Sequence, residues 1–363
     1  MASTTEAAHP ASLSLPRPIF AAVSPHPFLQ AHLSASKSRQ RANGRTAHEF
    51  RAPLVNTGSL THCNGSAVVR LGNTSVVCGV RGELLKAEDA QGYTYTPPSN
   101  GDNDDTEEDD LEEERKELST LRLLVPNVEL STGSTPAYIP GNAPSSTAQT
   151  LLTRLHSLLH STSLIRARDL RITYTPPSFS DPSVPVEEQE QADDELKAYW
   201  TLYIDIFFIS IDGSAFDAAW LALLAALQNT RLPAASWDPD FETVLCDDDP
   251  KKARALALRG LPVPASFAVF EGRGDWDESG DDKDVEDSWV LSDPDAFEEG
   301  VCREAVCLVV DCGGTGKRGS ATDAVVRRVE KNGGAVVGRG EMRSLVMRAA
   351  ERWEAVKKAL ASV

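Results

Sequence analysis

The chain has 363 residues, of which 41% are hydrophobic and 25% are charged, so it has a globular composition and can bury a large core. A net charge of −18 argues against a free-standing basic nucleic-acid binder, and no apolar run reaches the roughly 20 residues of a membrane helix. The six cysteines form no CxxC pair, which disfavours a disulfide scaffold.

The negative charge is concentrated in three acidic blocks, which are residues 102–117, 187–195 and 271–287. Together these blocks carry a net charge of −22, so the rest of the chain is nearly neutral at about +4. Like charges repel one another and stay solvated, so we expect disordered insertions rather than dedicated binding tails.

We expect one domain over residues 19–361, preceded by a disordered leader over residues 1–18. The acidic inserts are predicted at about residues 95–118, 178–197 and 271–287. The first 45 residues contain a single acid, Glu6, which leaves mitochondrial targeting open as an alternative to an unstructured leader.

The first predicted elements are a short helix at 25–33 and a basic turn, "RANGRTAHEF", whose tight point is Asn43-Gly44. Three β-rich runs follow between residues 50 and 85. They are separated by Asn64-Gly65 and Gly72-Asn73, which predicts a meander of hairpins.

Helices then alternate with strands. Periodic apolar residues predict a serine-capped helix at 145–160, a buried helix at 215–228 and an amphipathic helix at 341–360, whose basic residues, including Arg352, are expected opposite its apolar stripe. Strands are predicted at 121–130, 170–174, 199–211, 266–270, 289–291 and 306–311. The strand at 199–211 is expected to be buried on both faces. This order predicts an α+β fold with helices packed on a sheet.

Three motifs are weak candidates for other sites. His156 and His160 have metal-compatible spacing, but leucines surround them, which favours a helix face. The cysteines at 302, 307 and 312 lie along a strand, where side chains alternate between faces. "DCGGTGKRGS" has Asp311 where a phosphate-binding loop needs glycine, which favours a flexible linker. No metal or cofactor is expected.

Four strings in register carry a family resemblance. They are "NGRTAHEFR", "GSLTHCNGSAVVRLGNTSVVCGV", "NVELS…PAYIPGNAPSSTAQTLLTRL" and "YIDIFFISIDGSAFDAAWLALLAAL". In this order they resemble an RNase PH-type domain, which implies a ribosomal protein S5 domain 2-like fold over residues 19 to about 315. Within the family, the strings are most similar to non-catalytic ring subunits of the eukaryotic RNA exosome.

The resemblance also implies where a catalytic site would lie. Active family members are phosphorolytic 3′→5′ exoribonucleases, which hold two anions with arginines in two turns beside a catalytic carboxylate. Asp212 matches the carboxylate, and Asp217 is a possible second acid, but neither turn carries an arginine here. Asp212 is therefore interpreted as a remnant that caps the following helix. The degenerate positions are Ser145, Ser146, Asp212, Ser214, Ala215 and Phe216.

Three arginines flank the turn that the family carries near its RNA path. Arg41, Arg45 and Arg51 are therefore candidates for contact with RNA. The alternative is a structural turn in which Arg45 pairs with a carboxylate such as Glu49.

The implied function is that of a catalytically silent ring subunit in RNA processing and decay, including ribosomal RNA 3′ maturation. Implied partners are other RNase PH-like ring subunits, cap subunits with RNA-binding folds, and RNA in the assembled channel, with no membrane. The implied locations are the nucleus, nucleolus and cytoplasm. Two alternatives stay open: an active phosphate-dependent exoribonuclease, and a protein of this fold that works outside the exosome, for instance in an organelle.

Overall fold

The computed structural model describes residues 15–35, 40–90, 106–136, 138–139, 141–176, 194–272, 288–313, 324–334 and 337–362. Residues 1–14 of the predicted leader, and most of the second and third predicted inserts, lie outside these ranges. The helices are α1 (Arg17–Val23), α2 (Pro25–Ala35), α3 (Thr106–Thr120), α4 (Ser146–Ser161), α5 (Ala215–Asn229), α6 (Ala296–Val301) and α7 (Arg339–Ala361). The strands are β1 (Pro53–Thr57), β2 (Gly65–Leu71), β3 (Thr74–Lys86), β4 (Leu124–Leu130), β5 (Arg171–Tyr174), β6 (Glu195–Ser210), β7 (Arg231–Leu232), β8 (Ala235–Asp238), β9 (Thr243–Cys246), β10 (Arg254–Ala255), β11 (Val263–Glu271), β12 (Ser288–Ser292), β13 (Glu304–Asp311) and β14 (Val325–Asn332).

Six strands form the first sheet. Strands β1, β2, β3 and β6 are neighbours in that order, and both β4 and β5 pair with β6. The antiparallel pairing of β1 with β2 and of β2 with β3 confirms the predicted meander. Gly72 and Asn73 make the turn between β2 and β3, and Gly72 has a φ of +58°, which favours glycine. Strand β4 runs parallel to β6, so the sheet is mixed.

The second sheet is antiparallel, in the order β12-β11-β13-β14. Helix α5 packs against β2 and β3 of the first sheet and against β11 of the second, while α7 packs on β11 and β13. The main hydrophobic cluster contains side chains from both sheets and from α4, α5 and α7. The α+β fold with helices packed on a sheet is therefore confirmed.

Helix α5 is the centre of this core because it is apolar on nearly all sides. Twelve consecutive residues, Phe216 to Leu227, are buried. The indole N–H of Trp220 donates to the carbonyl of Pro262 at 2.7 Å, which satisfies its polar atom inside the core. None of the helices in the described ranges combines the length and apolar character needed to cross a bilayer.

Part of the first acidic insert is helical, which corrects the expectation of a disordered loop. Residues 106–120 form α3, and Glu117 near its end is fully buried. Its carboxylate accepts hydrogen bonds from Nε of Arg171 at 3.2 Å and from the hydroxyl of Tyr199 at 2.7 Å. These partners compensate the burial of one acid, and Leu118 and Leu121 add apolar contacts with the core.

Three further predictions are corrected. Strand β6 is buried on both faces only at residues 198–202, and further along Phe207 and Ile209 are 38% and 46% exposed. Strand β14 follows the predicted glycine-rich linker and was not expected; residues 314–323, which include most of that linker, lie outside the described ranges. Helix α7 forms as predicted, but Arg352 lies on its buried face, 4% exposed.

Candidate functional site

The Asp212-Gly213 turn joins the end of β6 to the start of α5. The backbone N–H of Asp212 donates to Oγ1 of Thr74 at 2.8 Å, and that hydroxyl donates to the carbonyl of Gly213 at 3.0 Å. Gly213 has a φ of +71°, and a Cβ at this position would lie 2.3 Å from the carbonyl oxygen of Pro294. The left-handed conformation and the close backbone approach both require glycine here.

The Asp212 carboxylate is engaged by two structural donors. Its Oδ2 accepts from the side-chain amide of Asn73 at 3.0 Å, and its Oδ1 accepts from the backbone N–H of Ala296 at 3.3 Å. The prediction that Asp212 caps α5 is wrong. The N-cap is Ser214, which has a φ of 47° and donates its hydroxyl hydrogen to the carbonyl of Pro294. The Asp212 carboxylate instead accepts a hydrogen bond from the backbone of the first residue of α6.

The two serines of the first degenerate turn belong to the beginning of α4. Oγ of Ser145 accepts from the backbone N–H of Ala148 at 3.2 Å, which makes Ser145 the predicted cap. Ser146 is the first helical residue and is exposed. Neither side chain carries a charge that could hold phosphate.

A cavity of about 360 Å³ lies beside Ser214, Ala215 and Phe216. The guanidinium of Arg154, which sequence analysis did not single out, lies 3.9 Å from the ring centroid of Phe216. Glu330 accepts from both Nε and Nη2 of Arg154, at 2.7 and 2.6 Å. The charged residues that line the cavity are Arg154, Arg303, Glu299, Glu304 and Glu330. Three glutamates against two arginines would repel a phosphate ion.

Arg41 is buried at the base of the basic turn. Its side chain is 0% exposed, and it donates to the carbonyls of Ala47, Ser292 and Asp293 and to the carboxylate of Glu298 at 3.2 Å. The interpretation of Arg41 as a residue that faces RNA is therefore wrong, because its guanidinium is enclosed by protein acceptors.

Arg45 and Arg51 both bind Asp293. Arg51 donates to the Asp293 carboxylate through Nε at 2.8 Å and Nη2 at 2.7 Å, and Arg45 donates to its backbone carbonyl at 3.0 Å. The suggested pair of Arg45 with Glu49 is wrong, because Glu49 accepts instead from the backbone N–H of Thr46. The geometry favours the structural turn over contact with RNA, with a different carboxylate as partner.

Asp293 and Arg51 stay ionised because their charges are opposite. Burial acts to raise the pKa of Asp293, but the hydrogen bonds from Arg51 and the charges of Arg352 and Arg51 outweigh it and hold the pKa well below its usual range. Burial acts to lower the pKa of Arg51, and the hydrogen bond and charge of Asp293 raise it instead. The sequence did carry one signal of this region. Asp295 and Glu298 form a capping box for α6, and their three-residue spacing can be recognised from the sequence alone.

Asp217, the possible second acid, belongs to the core. Its side chain is 0% exposed and accepts from the backbone N–H and the hydroxyl of Ser266 at 3.0 and 2.7 Å. Nη2 of Arg352 lies 3.2 Å from its Oδ2. Asp217 therefore connects α5 to β11 and α7, and its carboxylate is closed to a substrate.

The His156 and His160 rings lie in contact, with centroids 4.3 Å apart and planes inclined by 50°. Among the residues that the structure describes, none hydrogen-bonds to either ring nitrogen of His160, and burial, followed by the charge of His156, lowers its pKa to about 4. No group of three or more metal-ligating side chains occurs within the described ranges. This arrangement agrees with a helix-face pair.

The His160 pKa predicts a loss of stability in mild acid. The unfolded chain binds this proton below about pH 6.5 and the folded chain only below about pH 4, so the free energy of unfolding falls as pH is lowered through this window. We expect a contribution of about 1–3 kcal/mol, measured as the difference in urea unfolding between the wild type and His160→Gln at each pH. His156→Gln, at the exposed partner, is the control and should keep most of the slope. Equal slopes in the wild type and His160→Gln would contradict the assignment.

Comparisons with known proteins agree with this architecture. Residues 49–233 match the family model described as the 3′ exoribonuclease family, domain 1. The "Exosome complex component rrp43" of Schizosaccharomyces pombe is 30% identical over 299 residues, which cover 82% of this chain and 85% of that protein. The "Exosome complex component Rrp42" of Methanothermobacter thermautotrophicus is 26% identical over 248 residues, which cover 68% and 72%.

The fold is also found among solved structures. A chain of the Archaeoglobus fulgidus exosome with RNA bound to the active site superposes with a TM-score of 0.57. The two chains are 19% identical, and the superposition covers 92% of this chain and 96% of the archaeal one. This likeness concerns the fold.

Proposed function

The chain is a member of the RNase PH-type 3′ exoribonuclease family, and from this premise we propose that it is a non-catalytic ring subunit of an exosome core. The similarity to exosome components, which extends over most of the chain, supports the assembly part of the proposal. The engagement of the Asp212 carboxylate by Asn73 and Ala296, and the absence of arginine from the sequence of the two degenerate turns, support the proposal that the chain is not catalytic.

In this role the chain completes a ring with other RNase PH-like subunits. Cap subunits with RNA-binding folds sit on the ring, RNA 3′ ends pass through the assembled channel, and an associated nuclease cuts them. The processes are 3′→5′ RNA decay and processing, including ribosomal RNA 3′ maturation, in the nucleus, nucleolus and cytoplasm. We place the domain at residues 19–361, with acidic inserts near 95–118, 178–197 and 271–287.

Purification under native conditions tests the assembly. The full chain, tagged in its own cells, should bring down several RNase PH-like chains in equal amounts, together with cap subunits. Recovery as a monomer, or in mitochondria without such chains, would favour the alternative in which the fold works outside the exosome.

A phosphorolysis assay tests whether the chain is catalytically inactive. The purified chain, incubated with RNA and inorganic phosphate, is expected to release no nucleoside diphosphate above background. Two lost charge-assisted contacts to phosphate amount to about 3–6 kcal/mol, which lowers the rate by about two to four orders of magnitude. The measurement is chromatography of the products, with a phosphorolytic family member as the positive control.

The variant Asp212→Asn separates the chain's own activity from a contaminant. Phosphate-dependent release of nucleoside diphosphates that disappears in this variant would show that Asp212 is catalytic, and would establish the alternative of an active exoribonuclease. Release that persists in Asp212→Asn would come from another protein.

A further inference from the structure

A second cavity lies away from the degenerate turns. It has a volume of about 450 Å³ and lies between β5, β6, β7, β8 and β10. Its charged lining residues are Arg168, Asp169, Arg171 and Arg254. Three arginines against one aspartate give it an excess of positive charge, although the chain as a whole carries −18. A local field of this sign attracts anions.

The carboxylates near this cavity already have partners. Asp169 accepts from Nη2 of Arg259 at 3.0 Å, and Glu117 accepts from Nε of Arg171 at 3.2 Å. Asp169 and Arg171 therefore contribute little free charge to the cavity. The excess positive charge of the cavity therefore belongs to Arg168 and Arg254.

Arg168 and Arg254 are exposed at the cavity, and within the described ranges neither guanidinium donates a hydrogen bond or forms a salt bridge. Each guanidinium carries a positive charge and five N–H donors. Its planar array of donors fits the oxygens of a phosphate group. Two such groups on one cavity provide the polar half of a phosphate site.

Most of the other residues that line the cavity are apolar. They are Trp200, Ile172, Leu232, Pro233, Leu256 and four alanines, and Trp200 is 7% exposed. Apolar residues beside two cations suit a planar heterocycle that carries a phosphate. The volume falls within the roughly 300–1,000 Å³ of small-ligand sites and accommodates a nucleotide.

We propose that this cavity binds a nucleotide, with Arg168 and Arg254 on its phosphate and its base beside Trp200 and Leu232. The nucleotide is either free or a unit of an RNA chain, since both present the same chemistry. An acidic peptide would satisfy the arginines but would leave the apolar walls without a matching group. The site requires neither the ring nor phosphorolysis, so it does not depend on the proposed function.

Calorimetric titration of the full chain with AMP tests the proposal. Saturable binding is expected, with adenosine and inorganic phosphate each binding more weakly because each fills one half of the cavity. The variant Arg168→Gln/Arg254→Gln should weaken AMP binding at least about tenfold, because it removes charge-assisted hydrogen bonds. Both side chains are exposed, so the fold should persist, which circular dichroism checks.

The matched control is Arg339→Gln/Arg343→Gln, which removes the same charge from two exposed arginines of α7. It should change AMP affinity less than twofold. A short 5′-phosphorylated oligoribonucleotide distinguishes the sources of the ligand. Tighter binding of the oligonucleotide than of AMP assigns the site to RNA, and equal binding assigns it to the free nucleotide.

Four results would overturn the proposal. They are no AMP binding, adenosine binding as tightly as AMP, an equal loss in the α7 control, and an acidic peptide that binds more tightly than AMP with the same dependence on Arg168 and Arg254. The last result would make the cavity a protein-docking site. Failure of the chain to join a ring would leave the nucleotide measurements unaffected, so the two proposals fail separately.

Discussion

Asp293→Asn is expected to lower the free energy of unfolding by about 3–5 kcal/mol, because it removes the buried countercharge of the largely enclosed Arg51 guanidinium. The Asp293 side chain is 0% exposed, and that of Arg51 is 9% exposed. The backbone N–H, Nε and Nη2 of Arg51 all donate to this carboxylate, at 2.7–2.8 Å. Asparagine keeps the shape but leaves the guanidinium beside a neutral amide, and water has little access to replace the lost charge.

Urea unfolding of the purified chain at pH 7 measures the change. Asp205→Asn is the matched control, since Asp205 is exposed, and should change stability by less than about 0.5 kcal/mol. Because the folded-state pKa of Asp293 is depressed, its contribution is present above the unfolded pKa and disappears as pH falls through the folded one. The gap between wild type and variant should therefore narrow only in strong acid. A loss below about 1 kcal/mol at pH 7 would show that Arg51 finds another acceptor.

Gly213→Ala is expected to destabilise the chain by about 3 kcal/mol or more, through left-handed strain and overlap. A Cβ at residue 213 would lie 2.3 Å from the carbonyl oxygen of Pro294 and 2.5 Å from the carbonyl carbon of Asp295. Both atoms are backbone atoms, so no side-chain rotation relieves the contact. The loop before α6 would have to move away from the turn.

Gly58→Ala separates the two causes. Gly58 has nearly the same φ, +72° against +71°, but no atom lies within 4 Å of a Cβ placed there. Its substitution should cost about 1–2 kcal/mol, the strain alone. Urea unfolding of both variants gives the difference that belongs to the overlap. Equal losses of unfolding free energy in the two variants would mean that the loop before α6 moves away from residue 213 at no energetic cost.

Local sequence patterns were sufficient to predict the elements that depend only on the spacing of nearby residues. Helices α4, α5 and α7 and the β2–β3 turn were all predicted, because apolar spacing and turn glycines act within a few positions. Helix α3 was missed because its charge argued for solvation, while the burial of Glu117 depends on Arg171 and Tyr199, 54 and 82 residues later.

The candidate site also combines features that the sequence predicts with features that it does not. The sequence alone shows that the degenerate turns lack arginine, but it does not show which residues pair with the arginines elsewhere in the chain. Arg51 binds Asp293 across 242 residues, and Arg352 of α7 pairs with Asp217 of α5. Neither pairing has a local signature, so the sequence leaves Arg51 as a candidate for contact with RNA and predicts Arg352 opposite the apolar stripe of its helix.

The pairing of Asp217 with Arg352 has a consequence for the order of folding. The carboxylate belongs to α5, whereas its cation belongs to α7, which follows the strands of both sheets in the chain. Before α7 packs, Asp217 has its hydrogen bonds from Ser266 but lacks its countercharge. A folding intermediate without α7 would therefore bury an uncompensated acid, so we expect the core to close only when α7 docks.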